Sequence, residues 1–179
     1  MNKFNNTMIT GFALAAVLTS GQALAATDGT LGTNSTGTSD ISLEIADRVQ
    51  ITSMADIALG AWGGAGDLVG SSEFCVFRNG GDDYRLTLTA DTGAFQVFSA
   101  TTTDNIAFAA KVDDDLNASD GEALAYNTAT AVALAGSASL TCNGNDNASL
   151  EVTFAEANLQ AASTANDYQA TVTVFVEPI

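Results

Sequence analysis

The chain has 179 residues and a mass of 18.2 kDa, room for one domain of ordinary size. Hydrophobic residues make up 46% and charged residues 15%, so a core can be filled and the chain as a whole is not disordered. Lys+Arg number 5 against 21 Asp+Glu, a net charge of -16 that repels nucleic acid and anionic membranes, and His numbers 0, which removes His triads, His general bases and His metal sites.

Residues 1–25 read as a signal peptide. Lys3 is the positive start, Met8 to Leu18 is a short apolar stretch, and Ala23-Leu24-Ala25 is a small-residue cleavage site. The stretch is short of the roughly 20 residues that a membrane-spanning helix needs, so the expected location is secreted through the periplasm to the cell exterior. Export places Cys75 and Cys142 in an oxidising compartment, where an isolated even pair is expected as one disulfide.

Residues 26–39 are Thr, Gly, Asn, Ser and Asp with Leu31 the only sizeable apolar side chain, the composition of a flexible arm. Period-two patterns then dominate. Ile41, Leu43 and Ile45 alternate with Ser42 and Glu44. Val49 and Ile51 follow the rule, and Ile57 and Leu59 precede Gly60. Tyr84, Leu86, Leu88 and Ala90 form one face; Ile106, Phe108, Ala110 and Val112 another; Leu150, Val152 and Phe154 another. The last is Tyr168, Ala170, Val172, Val174 and Val176. Such alternation places one face in a core and one in water. Turn chemistry separates the runs, at Gly60 to Gly70, Asn79-Gly80-Gly81, Asp91-Thr92-Gly93 and Asn143-Gly144. Residues 154–162 suit a turn or short helix. Seven or eight short strands predict an all-β fold, an antiparallel β-sandwich.

Little in the chain points to chemistry. The run Asp113 to Glu122 is the one strong constellation of oxygen ligands, and it partly mimics a calcium loop. Ala118 stands where the sharp-turn glycine belongs and Leu124 where a bidentate Glu belongs, so it reads as a solvated loop. Asp82-Asp83 forms no recognisable acid/base pair. Trp62, the only tryptophan, reads as a packing contact in a Gly-rich loop before it reads as a sugar platform. Asn34, Asn117 and Asn147 lie in N-x-[ST] sequons. No catalytic, cofactor or metal residues are assigned, and no enzyme activity is expected.

The segment Ile41–Ile45 stands apart. It follows the arm, and only Ala46-Asp47 separates it from the next strand. Ala-Asp lacks the Gly or Asn of a primed hairpin turn. The alternative is that residues 41–45 project outward and add to another molecule's sheet.

On these residues the chain resembles the secreted pilins of the archaic chaperone–usher class, including spore coat protein U-like domains. Asp40 to Ile45 corresponds to that family's alternating donor strand. Asp56 to Gly60 corresponds to its apolar-x-apolar-Gly element, Phe74 to Leu88 to its Cys, polar turn and Tyr-led strand, and Asp167 to Val174 to its last strand. The resemblance covers about Ser39 to Pro178. It departs from the family in having no Cys between Ile45 and Phe74, so a Cys75–Cys142 bridge joins different strands, and in its longer arm. The resemblance implies an incomplete immunoglobulin-like sandwich, residues 47–179, completed by donor-strand exchange. Residues 40–46 are then the donor, with Ile41, Leu43 and Ile45 its anchors. The implied partners are a second copy of the chain, a periplasmic chaperone and an outer-membrane usher, and the implied product is a pilus fibre for adhesion and biofilm. The alternative expectation is a monomeric secreted module for carbohydrate or calcium, with Ile41–Ile45 folded onto its own sheet.

Overall fold

A computed structural model describes residues 26–179, so the signal-peptide reading of residues 1–25 lies outside the described residues. They fall into two units, the first ending at Ile45 and the second spanning Ala46–Ile179.

In the first unit the expected flexible arm is partly closed. The N–H groups of Thr27 and Thr38 each donate to the other's carbonyl at 2.9 Å, forming one antiparallel bridge. Residues 39–45 lie in no strand. Ile41, Leu43 and Ile45 are 95%, 84% and 73% exposed.

The second unit contains ten strands: β1 (Val49–Thr52), β2 (Leu68–Arg78), β3 (Asp83–Ala90), β4 (Gln96–Ser99), β5 (Asp104–Ala107), β6 (Ala109–Asp113), β7 (Glu122–Ala123), β8 (Leu134–Ala135), β9 (Ala148–Phe154) and β10 (Val172–Pro178). One short helix, α1 (Glu156–Ala161), precedes β10. Every strand pair is antiparallel. One sheet has the order β1-β2-β9-β6-β7, a second has β10-β3-β8, and β4-β5 is a separate hairpin. The fold is all-β, as the alternation predicts.

Both larger sheets contribute to one core. Phe74, Val76, Val112 and Leu150 from the first sheet, and Tyr84, Leu86 and Leu88 from the second, are 0% exposed and belong to a single cluster. Burying each of these side chains is worth about 1.5–3 kcal/mol, which is why the period-two pattern decides the fold. Cys75 on β2 is bridged to Cys142, with Cα atoms 5.8 Å apart across 67 residues of chain. Beside the bridge, Asn147 continues the β2–β9 ladder with its side chain. Its Oδ1 accepts from the Val76 N–H at 2.8 Å and its Nδ2 donates to the carbonyls of Val76 and Ala135.

Several expected strand limits are corrected. Ile57 and Leu59 form no strand, because Ser53 at φ 65° ends β1 and the chain then contacts β2 through side chains. The Ala55 N–H donates to Ser72 Oγ, and Ile57 and Leu59 lie over Gly70, where an added Cβ would stand 2.5–2.6 Å from them. The expected turn Gly60 to Gly70 stops at Asp67, since Leu68–Gly70 pair with Phe154–Val152. The run Ile106–Val112 is divided between β5 and β6, which belong to different sheets. At the break, the Phe108 N–H donates to the Phe95 carbonyl. The final run is strand only from Val172; upstream of it, Gln169 makes an isolated bridge to Phe98.

Candidate functional site

The two edges of the three-stranded sheet differ. β8 is two residues long, whereas β10 runs for seven residues and, among the described residues, pairs with β3 alone. An unpaired antiparallel edge presents alternate N–H and C=O groups that another strand can use. The inward side chains of β10 are Val172, Val174 and Val176. They pack against the core but remain partly exposed, while their neighbours Leu86, Leu88 and Ala90 on β3 are buried. The core is therefore incompletely covered along this edge.

Beside the start of β10 the uncovered region deepens into a cavity of about 320 Å³. Met54, Ile57 and Leu59 line it from the segment after β1; Phe108, Val152 and Phe154 form its floor, and Ala170 to Val172 its far wall. Aromatic contacts stiffen the floor, with Phe108 5.4 Å from Phe154 and 5.5 Å from Phe95 between ring centroids. The lining is mainly apolar, with Asp56 its one ionisable group. An apolar slot beside an open strand edge suits an extended segment with alternating apolar side chains.

Ile41, Leu43 and Ile45 have that pattern and are exposed. The chain that follows them is tightly held. Asn79 accepts from the Arg48 N–H through Oδ1 at 2.8 Å, donates from Nδ2 to the Ala46 carbonyl at 3.1 Å, and donates its own N–H to the Arg48 carbonyl at 3.2 Å. Arg78, 4% exposed, reaches Asp47 at 3.4 Å and also donates to the carbonyls of Asp83 and Ile179. Gly80 and Gly81, at φ 87° and 72°, make the tight turn that aims Asn79 back at this segment, a conformation that side-chain-bearing residues rarely adopt.

The acidic run folds as a loop of successive side-chain-to-backbone turns. Asp113 Oδ1 accepts from the Asp115 N–H and Asp115 Oδ1 from the Asn117 N–H. The carboxylates of Asp113, Asp115 and Asp120 converge within 4.8 Å. Partial burial holds the Asp113 carboxyl above its ordinary range, and the neighbouring charges of Asp115 and Asp114 add to this against the Asp115 N–H bond. Calcium takes roughly six to eight oxygens, more than one atom from each of these three carboxylates supplies. The loop also holds its own cation, since Lys111 Nζ donates to the Ser119 carbonyl at 2.6 Å. Glu122 is occupied elsewhere, accepting from the N–H groups of Ala131 and Val132. Burial, followed by the charges of Asp114 and Asp113, pushes the Tyr84 phenol far above its usual pKa, so it stays neutral.

The other candidates separate from one another. Trp62 donates Nε1–H to the Gly66 carbonyl within its own loop. Asp82 and Asp83 are exposed at the start of β3. Of the sequons, Asn34 and Asn117 are exposed, while the Asn147 Nδ2 is engaged by two carbonyls and is not free for glycan attachment. Sequence reasoning missed Asn79, Arg78 and Asn147. Their defining partners, Arg48 for Asn79, Ile179 for Arg78 and Val76 for Asn147, lie 31, 101 and 71 residues away, separations that leave no spacing signal. No protein-family model matches the chain, and no curated protein matches it.

Proposed function

We propose that this chain is the structural subunit of an extracellular pilus fibre, built by donor-strand complementation. Ile41, Leu43 and Ile45 of one copy enter the uncovered groove of the next and pair with the free edge of β10. The domain is then an immunoglobulin-like sandwich that lacks its own final strand. One observation carries the reading. The same chain has a half-covered core along an unpaired seven-residue edge strand and an exposed segment with the matching two-residue apolar period.

The three inward valines of β10 and the three apolar residues of the segment share the same spacing, so all three anchors can be buried together. Each is worth roughly 1.5–3 kcal/mol on burial. A periplasmic chaperone would cover the same edge before assembly, and an outer-membrane usher would secrete the fibre, which serves attachment and biofilm formation. No catalytic step is involved.

Leu43→Asp is the direct test. Wild-type material should run as a ladder in SDS without heating and collapse to one band on boiling. The variant should be exported, folded and disulfide-bonded, yet form no long fibres, because an unpaired charge would enter an apolar slot. Normal assembly of Leu43→Asp would overturn the donor assignment. Unfolding of the isolated variant would place the segment in its own sheet and favour a monomeric binding module.

A further inference from the structure

A second concave surface lies on the β4–β5 hairpin, a depression of about 360 Å³. Along β4 the alternate residue Ser99 is fully buried and Val97 packs on the core, so the Phe98 ring stands on the outward face, 38% exposed. Asn105 is its direct cross-strand partner on β5, and Gln96 lies two residues along the same strand. Gln169 closes the other side. Phe98 and Gln169 exchange backbone bonds at 2.9 and 3.1 Å. Phe98, Gln96, Asn105 and Gln169 all line the depression, with Asp91 at its rim.

The platform is pre-organised. The Asp167 carboxylate accepts from Ser99 Oγ, Thr101 Oγ1 and the Thr101 N–H, which fixes the end of β4. These hydrogen bonds hold its pKa below the ordinary carboxylate range, the Ser99 bond contributing most, so it stays ionised and keeps accepting them at neutral pH. Thr92 Oγ1 bonds the carbonyls of Ala94 and Gln96, which fixes the other end. In contrast, the side-chain amides of Gln96, Asn105 and Gln169 make no hydrogen bond to another described residue. One Asp91 oxygen accepts from the Thr171 N–H, leaving the second oxygen available.

We propose that this face is a binding subsite for a neutral sugar. A pyranose has one apolar C–H face, which stacks on Phe98, and a rim of hydroxyls, each both donor and acceptor. Primary amides match that rim because each sets a donor beside an acceptor in one plane, and a carboxylate adds an acceptor for a further hydroxyl. Among the described residues no Lys or Arg lines the depression, whereas Asp91 does, so the site disfavours anionic sugars. The depression adjoins the assembly groove through Gln169 and the Asp91–Thr171 bond but shares no lining residue with it, so a sugar there leaves the groove unoccupied.

The test is an amide-resolved NMR titration of the folded subunit with methyl glycosides of glucose, galactose and mannose, with N-acetylneuraminic acid as the charged control. At least one neutral glycoside should shift the resonances of Gln96 to Phe98, Asn105 and Gln169 together, at millimolar affinity, and the charged sugar should bind more weakly. Phe98→Ala should weaken binding about tenfold and Phe98→Tyr should retain it. Asn105→Ala should weaken binding with the fold intact. The proposal is overturned if no neutral glycoside moves these resonances, or if Phe98→Ala leaves the shifts unchanged in a protein whose other resonances match wild type.

Discussion

β3 and the segment at residues 41–45 carry the same pattern and have opposite fates. Leu86 and Leu88 are 0% exposed, whereas Leu43 is 84% exposed. The alternation is equally regular in both. What differs is the neighbourhood: β3 has β10 on one side, β8 on the other and the five-stranded sheet across the core, while residues 41–45 belong to no strand. A period-two pattern therefore specifies a side chain's need for a partner surface. It does not specify whether that surface belongs to the same molecule.

Large-to-small substitutions separate the two regions most sharply. Leu88→Ala should destabilise the isolated subunit by about 2–5 kcal/mol, because it removes buried methyl groups and leaves a cavity. Leu43→Ala should change it by no more than about 0.5 kcal/mol, as for any exposed position. Urea unfolding of both variants measures the difference, and equal losses would break the comparison. Next in size is the disulfide. Replacing Cys75 and Cys142 with Ser frees a 67-residue loop in the unfolded chain and should cost about 2–4 kcal/mol. The loss should appear in the domain's unfolding midpoint, while the resonances of residues 41–45 stay where they are.

Asn79→Ala probes the junction between the two regions. It removes two side-chain hydrogen bonds to Ala46 and Arg48 and should cost about 1 kcal/mol. The Arg48 amide should lose hydrogen-exchange protection more than any amide of β3; unchanged protection there would show that the grip is dispensable.

The smallest effect concerns pH. Asp104 is held below its ordinary pKa chiefly by the Ser163 N–H, with Asn105 and Tyr168 adding, and Asp167 by Ser99 and Thr101. Both are depressed in the folded state. Their contribution is thus present above the ordinary carboxyl pKa and is lost as pH falls through the lowered value. Acid titration followed by NMR should show the amides of Thr101 and Ser163 moving below the ordinary carboxylate range, with β3 unaffected.

The strands legible in the sequence were those whose alternation runs unbroken between turn residues, such as Tyr84–Ala90 and Leu150–Phe154. β2 was not legible as a strand, because Gly60 to Gly70 reads as turn and Phe74 to Phe77 show no alternation, yet Gly70 is required where Ile57 and Leu59 approach the backbone. The division at Phe108 was hidden because both halves keep the same parity. The exposed anchors were legible as a pattern. The groove was not, since its walls at Ile57 and Val172 are far apart in sequence and are defined by what leaves them uncovered. The hairpin platform was equally hidden, because Phe98 and Gln169 meet only through a single bridge.

The grip of Asn79 and Arg78 on residues 46–48 has a mechanical consequence. In the fibre proposed above, tension carried through residues 41–45 would enter each domain at Ala46. It meets there the three hydrogen bonds of Asn79 and the Arg78–Asp47 ion pair before it reaches the β1 ladder. Arg78 distributes that force further, to the start of β3 and to the carbonyl of Ile179 beyond β10. The pull is thus shared by both sheets at one end of the sandwich, so four short residues of β1 need not resist it alone.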